Sequence, residues 1–161
     1  LIAFRIVQGI GGGMLTALST DIRICSEGSE FGVPAARLGL GYGAAGVERL
    51  NAVVGPAWTA EILYSARRLS AEEALHIGLV NRVVPKAELE TVVRDLAAQI
   101  ASNAPLTVKA AKVTLRELQK DAARRDSALV EQLVEACFRS EDYREGQQAF
   151  LEKRPPIFRG V

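Results

Sequence analysis

Three consecutive glycines, Gly11–Gly13, have the residue type and spacing that best suit chemistry at the backbone of this chain. A strand-like stretch at Ile6 and Val7 leads into them, and a helix-compatible run follows directly. Glycine lets a ligand approach the backbone closely because it has no Cβ. The first N–H groups of a helix have no internal partner and carry the positive end of its dipole. The triplet therefore predicts either a site for an anion or oxyanion, or a turn that serves packing only.

A second glycine-rich stretch, Phe31–Gly46, has no regular hydrophobic period and predicts an irregular segment that borders a cleft. Tyr42 lies in it between Gly41 and Gly43. Its ring could reach into the cleft, or it could pack on the core with the hydroxyl at the surface. Arg37 suits either a structural role or a phosphate contact.

The remaining reactive side chains point to structural roles. His76 is the only histidine and lies in a helical segment between two apolar residues, which favours a structural or surface role. Cys25 and Cys137 have neither metal-ligand nor CxxC spacing, so we expect buried thiols in a reducing compartment and a cytoplasmic location. No metal site is expected.

Charge and hydropathy exclude several classes of partner. The net charge is +1, from 20 basic and 19 acidic residues, and this balance gives no argument for nucleic acid or an anionic membrane surface. No apolar run reaches transmembrane length. We therefore expect neither nucleic acid nor membrane as a partner.

Local signals place the elements that must position these residues. Ser70 and Glu73 form a capping box, Gly78 ends the helix that follows it, and Gly55-Pro56 interrupts a longer helical run. The patterns predict strands at Phe4–Val7, Ile22–Ser26 and Leu79–Val84, and helices at Gly12–Thr20, Val47–Val54, Ala57–Ser65, Ala71–Ile77, Ala87–Ser102, Leu106–Leu118, Asp121–Phe138 and Ser140–Lys153.

In order and spacing, four segments resemble the enoyl-CoA hydratase/isomerase family, also called the crotonase family. They are the glycine triplet with Asp21-Ile22-Arg23 after it, and residues 31–50, 69–85 and 145–154. The resemblance covers essentially the whole chain. It implies an α/β fold with a crotonase-like spiral core of ββα turns, followed by a C-terminal helical region.

The resemblance also implies that the family's N-terminal part is absent from this chain. Residues 1–84 would form the C-terminal part of the spiral core, and residues 85–161 the helical oligomerisation region. Because the first ββα turns would be missing, we expect residues 1–10 to have strand edges that this sequence does not pair.

The resemblance implies that the substrate is an acyl-CoA thioester whose enolate is stabilised by an oxyanion hole. Coenzyme A would be part of the substrate, and no separate cofactor is expected. Gly12 matches the family glycine that donates one N–H to the thioester oxygen, and the second donor would come from the absent part. We assign Gly11, Pro34 and Leu38 to substrate binding.

The positions of the family's catalytic acids are apolar here. Hydratases of the family use two glutamates, at the positions of Leu15 and Ala35, and neither residue can transfer a proton. Some members place an aspartate a few residues later, within 43–45, where this chain has only glycine and alanine. Tyr42, eleven residues after Phe31, is similar in position to an active-site tyrosine of the family's decarboxylases.

The C-terminal segment carries an aromatic and basic cluster. Ser140 is a predicted helix cap, and Phe150 is expected in the core. By resemblance, Lys153 and Phe158 either contact the coenzyme A of a neighbouring subunit or pack at a helix end. The family implies a homotrimer or a hexamer.

Three functions remain open from the sequence. The first is an enoyl-CoA hydratase or isomerase, although Leu15 and Ala35 make glutamate-dependent hydration doubtful. The second is a decarboxylase of malonyl-type thioesters, in which loss of carbon dioxide generates the enolate directly. The third is a non-catalytic acyl-CoA-binding subunit.

Overall fold

The computed structural model of the protein describes residues 3–5 and 12–161, with side chains from residue 13 onward. Contacts divide the chain into a unit that ends at Asp95 and a unit spanning Leu96–Val161. The strands are β1 (Ala3–Arg5), β2 (Ile22–Ser26) and β3 (Arg82–Val84), and the helices are α1 (Gly12–Leu18), α2 (Ala44–Ser65), α3 (Ala71–His76), α4 (Leu89–Ala101), α5 (Pro105–Leu118), α6 (Ser127–Arg139) and α7 (Glu141–Glu152). Short 3₁₀ helices cover Pro34–Leu38 and Ala122–Arg124.

The three strands form a parallel sheet in the order β1-β2-β3. Phe4 pairs with Arg23, and Cys25 pairs with Val83. Parallel neighbours need a crossover, and α1 lies in the one between β1 and β2. The centre of β2 is fully buried at Ile24 and Cys25, which explains why its predicted bounds are confirmed.

The predicted strand Leu79–Val84 was too long, because its first part is a buried turn tied down by Arg23. The Arg23 guanidinium is buried and donates from Nε to the Leu79 carbonyl (2.6 Å) and from Nη1 to the Thr20 carbonyl (2.7 Å). The Val80 N–H bonds to the Ala74 carbonyl instead of a strand (3.2 Å). Only Arg82–Val84 remains free to pair with β2.

Helix α2 is interrupted as predicted at Gly55, whose φ of 77° and ψ of 171° are not helical. Pro56 follows, and a second helical stretch runs on to Ser65. The helix begins at Ala44, earlier than the predicted Val47, because the Gly43 carbonyl accepts the N–H groups of Gly46 (2.9 Å) and Val47 (3.2 Å). The helix therefore starts directly behind Tyr42.

The capping box at Ser70 is confirmed. Ser70 Oγ accepts the Glu73 N–H (3.2 Å), and the Glu73 carboxylate accepts the Ser70 N–H (2.8 Å). The preceding residue, Leu69, makes an antiparallel bridge to Phe31, with N···O distances of 3.0 and 2.8 Å. This bridge anchors the start of the glycine-rich segment to the entrance of α3.

In the second unit, the predicted helix Asp121–Phe138 begins later than expected. A 3₁₀ turn occupies Ala122–Arg124, and α6 starts at Ser127. The buried Glu117 carboxylate of α5 accepts the Asp126 N–H (2.9 Å) and a bond from Lys120 Nζ (2.6 Å). These bonds hold the connection in a non-helical path, and they lower the pKa of Glu117, with the Asp126 bond the largest cause.

The hydrophobic core of the first unit is built from buried residues of the strands and helices around α2, among them Met14, Leu18, Cys25, Phe31, Val33, Leu50, Ile62, Leu69, Leu79 and Val80. Ala35 and Tyr42 pack against this cluster while remaining partly exposed. Among the helices that the structure describes, none combines the length and apolar character needed to cross a membrane.

Candidate active site

Helix α1 begins at Gly12, the residue assigned to the oxyanion site. Met14, Ala17 and Leu18 of this helix are buried, so its orientation is fixed by core packing. The N–H groups of its first turn have no partner within the helix. Gly11 lies outside the described residues, and so does the predicted strand residue Val7.

The 3₁₀ helix Pro34–Leu38 carries two of the other assigned residues. Pro34 occupies its first turn and is half-buried, and the helix ends at Gly39 with a φ of 65°. Leu38 is 60% exposed, so its side chain is available to a ligand but is not held by a packed wall. The Leu40 N–H bonds back to the Ala35 carbonyl (3.0 Å), which closes the turn.

The Tyr42 ring lies against Gly46 and Leu15. A Cβ built on Gly46 would be 2.7 Å from Tyr42 Cε1 and 3.0 Å from Leu15 Cδ2, so the three residues meet at one point. The Tyr42 hydroxyl oxygen is buried and has no hydrogen-bond partner among the described residues. Burial raises the pKa of Tyr42, so the phenol stays protonated at neutral pH.

The structure therefore brings Leu15 next to Tyr42, and it packs Ala35 and Tyr42 against the same core cluster. The packing alternative for Tyr42 is right for the ring, which packs on the core, and wrong for the hydroxyl, which is buried rather than at the surface. The alternative of a ring that reaches into a cleft stays a prediction. A neutral phenol can donate a hydrogen bond, but it cannot act as a base at this protonation state. Tyr42 thus places a potential hydrogen-bond donor beside Leu15.

The assigned residues of the C-terminal segment lie in the second unit. Lys153 is the C-cap of α7 with a left-handed φ of 52°, and its side chain is exposed. Phe158 is half-buried with its ring edge facing Gly146, where an added Cβ would be 3.6 Å from Cε1. The expectation that Phe150 belongs to the core is wrong, because its side chain is 83% exposed.

The segment after α7 folds back onto the start of that helix; we call residues 155–161 the C-terminal strap. The buried Asp142 carboxylate accepts the N–H groups of Arg159 (2.7 Å) and Gly160 (2.8 Å), and Glu145 accepts that of Ile157 (2.8 Å). Arg154 binds both Glu145 oxygens, at 2.6 and 2.9 Å. The Arg154 bond, followed by the Ile157 bond, lowers the pKa of Glu145 to about 2.

Sequence reasoning missed the roles of Arg23, Gly46 and Asp142. Each depends on a partner far along the chain or on a side chain that only folding brings near, so no local signal marked Arg23 or Gly46. Asp142 did carry a signal, since it lies in the first turn of a helix capped by Ser140, whose Oγ accepts the Tyr143 N–H (3.1 Å). An acid in this place favours the helix dipole, and the structure shows that Asp142 also holds the strap.

His76 is exposed in the last turn of α3 and Cys25 is buried, as expected. The expectation that Cys137 is a buried thiol is wrong, because this residue is half-buried. In residues 3–5 and 12–161, no group of His, Cys, Asp and Glu is arranged to hold a metal ion.

Comparisons with known proteins point to one family. The chain matches the family model described as enoyl-CoA hydratase/isomerase over residues 3–161. It is 40% identical over 148 residues to the short-chain-enoyl-CoA hydratase of Clostridium acetobutylicum, covering 90% of this chain and 56% of that protein. It is 39% identical over 154 residues to the carnitinyl-CoA dehydratase of Salmonella typhi, covering 93% of this chain and 59% of that protein.

Solved structures give the same result. The enoyl-CoA hydratase of Bacillus anthracis superposes with a TM-score of 0.87 at 36% identity, covering 95% of this chain and 59% of that one. The chain thus spans somewhat more than half the length of the relatives it matches. The parallel sheet, the helix that starts in the glycine triplet and the helical second unit are the crotonase fold expected from the sequence. This chain belongs to the enoyl-CoA hydratase/isomerase family.

Proposed function

We propose that the protein acts on acyl-CoA thioesters by stabilising a thioester enolate, with the Gly12 N–H as one of the donors to the thioester oxygen. The observation that carries this proposal is the start of α1 at Gly12, inside the glycine triplet and beside a parallel sheet. The printed names of the relatives, a short-chain-enoyl-CoA hydratase and a carnitinyl-CoA dehydratase, support coenzyme A thioesters as the substrate class.

The chemistry follows from where charge develops. As the enolate forms, negative charge accumulates on the thioester oxygen, and a preorganised N–H donor there lowers the barrier by about 3 kcal/mol. The dipole of α1 acts in the same direction because its positive end lies at Gly12. Gly11, Pro34 and the exposed Leu38 would border the acyl group, and Lys153 and Phe158 would contact the coenzyme A bound by a neighbouring subunit. No separate cofactor is proposed.

Tyr42 favours a second candidate, decarboxylation of a malonyl-type thioester. Its buried hydroxyl has no hydrogen-bond partner within residues 3–5 and 12–161, and a buried unpaired donor is costly unless a ligand supplies the acceptor. A carboxylate on Cα is an acceptor of the right chemistry. When the Cα–carboxylate bond breaks, its electron pair moves to the thioester oxygen, carbon dioxide leaves, and Cα then takes a proton from water. This route needs no carboxylate base at position 15 or 35.

The test measures three quantities on the full-length protein: hydration of crotonyl-CoA, decarboxylation of malonyl-CoA and methylmalonyl-CoA, and binding of each thioester by calorimetry. Decarboxylation that exceeds hydration supports the second candidate, and the reverse supports a hydratase. Binding without turnover leaves a non-catalytic acyl-CoA-binding subunit.

The variant Gly12→Ala tests the oxyanion site within whichever activity is found. A fall in kcat of tenfold or more with little change in melting temperature supports the oxyanion role, because alanine keeps the N–H but adds a Cβ that hinders close approach of the thioester oxygen. A lower melting temperature with kcat unchanged would leave the glycine as a packing residue. The Gly43→Ala variant is the matched control, since a Cβ there meets no atom within 4 Å.

A further inference from the structure

Gly46 is a glycine whose backbone does not need to be glycine. It lies in the first turn of α2, it is buried, and it is absent from the described glycines with positive φ. Alanine is the stronger helix former, so local structure favours a side chain at this position. What the glycine provides is space, and the atoms that use this space are the Tyr42 ring and the end of the Leu15 side chain.

The space is closely fitted. A Cβ on Gly46 would approach Tyr42 Cε1 to 2.7 Å, Tyr42 Cζ to 3.1 Å and Leu15 Cδ2 to 3.0 Å. Carbon atoms that are not bonded to each other prefer about 3.5–4.0 Å. An alanine would therefore displace the aromatic ring, the leucine or both, and the ring atom that lies nearest belongs to the half of the ring that carries the hydroxyl.

We propose that Gly46 is a positioning residue of the site. The space left by its missing side chain, bounded on the other side by Leu15, holds the Tyr42 ring and so fixes the position of its hydroxyl. We call this space the seat of the ring. The inference rests on the proposed function, which gives the Tyr42 hydroxyl its task. Leu15 then packs against the Tyr42 ring and helps to hold its hydroxyl in place. By resemblance, hydratases of the family carry a catalytic acid at this position.

The seat of the ring matters for function because the Tyr42 hydroxyl is buried without a partner among the described residues. Tyr42 and Thr59 are the residues whose buried side-chain oxygens lack a partner in the described part of the chain. Since no described residue forms a hydrogen bond with the Tyr42 oxygen, the packing of the ring determines where the hydroxyl lies. A misplacement of about 1 Å in a reacting group can lower a rate about a hundredfold.

A double-mutant cycle on the full-length protein tests the inference, with Gly46→Ala, Tyr42→Phe and the double variant assayed on the thioester that the protein turns over. We expect Gly46→Ala to lower kcat by about 10- to 100-fold with KM changed less than kcat. In the Tyr42→Phe background, Gly46→Ala should change kcat less than about twofold, because the group through which it acts is already gone. An undiminished effect in that background would overturn the inference.

A spectroscopic measurement reports the seat independently of turnover. The pKa of Tyr42 is followed by NMR of ring-labelled tyrosine, and its signal is assigned by its loss in Tyr42→Phe. Displacing the ring should bring this pKa down toward the ordinary phenol value in Gly46→Ala and leave it unchanged in the control Gly43→Ala. If Gly46→Ala does not fold, Leu15→Ala loosens the opposite wall without adding atoms, and the same shift is expected.

The two arms separate the possible failures. A Tyr42 signal that moves in Gly46→Ala while Tyr42→Phe turns over normally would mean that the seat is real but that the proposed task of the hydroxyl is wrong. A signal that does not move in either Gly46→Ala or Leu15→Ala would overturn the seat itself, whatever reaction the protein performs.

Discussion

Leu15 and Ala35 are apolar at the two positions where a water-activating acid is expected, and neither can transfer a proton. We predict that the full-length protein is a poor crotonyl-CoA hydratase, because general acid–base catalysis contributes about 10²–10⁴-fold. The double variant Leu15→Glu with Ala35→Glu should raise hydration, measured by loss of enoyl absorbance. A wild-type rate equal to that of an efficient hydratase would contradict this prediction and would require an acid elsewhere.

Thr59 gives a second prediction at the scale of single residues, and it concerns stability. Its hydroxyl is buried in α2 and has no partner in the described part of the chain, so the desolvation cost of that group is not offset by a hydrogen bond. Replacing it in Thr59→Val should raise the free energy of unfolding by about 1 kcal/mol. The control is Thr20→Val, because the Thr20 hydroxyl donates to the Ala17 carbonyl (2.7 Å) and its loss should destabilise. Chemical denaturation measures both, and a destabilised Thr59→Val would show that the hydroxyl has an unrecognised partner.

At the scale of elements, the features with local signals were predicted well. The capping box at Ser70, the break at Gly55 and the bounds of β2 each follow from neighbouring residues, since caps, left-handed glycines and buried apolar runs are short-range features. The features that depend on distant partners were not predicted well. The start of α6 is delayed by Glu117, and β3 begins later than predicted because Arg23 holds residue 79 in a turn.

The candidate site shows the same division. Gly12, Pro34 and Tyr42 could be singled out because glycine runs and isolated aromatics are visible in the sequence, although their roles stay predictions. The contact among Leu15, Tyr42 and Gly46 could not be predicted, because residues 15 and 46 become neighbours only when α1 packs on α2. Phe150 was misplaced because helical spacing marks a face as apolar without saying what covers it.

The C-terminal strap carries a prediction about acid. The folded-state pKa of Glu145 is about 2, below the ordinary value of 4.5, so Glu145 contributes stability at pH above about 4.5 that is lost as the pH falls toward 2. We expect the melting temperature of Glu145→Gln to lie below that of the wild type at neutral pH. The difference should narrow as the pH falls toward 2.

Calorimetry across this range measures the difference. Glu141→Gln is the matched control, because Glu141 forms no ion pair with any described residue and lies one helical turn before Glu145 in α7. A gap between Glu145→Gln and wild type that stays constant from neutral pH to pH 2 would contradict the role of the Glu145 carboxylate in holding the strap.

At the scale of the whole molecule, the second unit leaves large apolar side chains exposed, among them Leu115, Leu118, Phe138, Phe150, Leu151 and Ile157. Monomeric proteins seldom leave wide apolar patches uncovered. With the family's trimers as the precedent, we propose that the full-length protein assembles as a homotrimer or a hexamer. Light scattering should give a mass that is a multiple of three protomers, and a monomer at micromolar concentration would contradict the proposal.

The two cysteines differ in burial, and this difference allows the opening of the sheet to be followed by thiol labelling. Cys25 lies on the central strand with no exposed surface, and burial raises the pKa of its thiol, whereas Cys137 on α6 is half-buried. A thiol reagent therefore reaches Cys25 only when β2 separates from its neighbours. The rate of the slow labelling phase, at Cys25, therefore measures how often the sheet opens. The fast phase, at Cys137, serves as the internal standard for the reagent. Any thioester that binds against this sheet should lower the rate of Cys25 labelling in proportion to its occupancy.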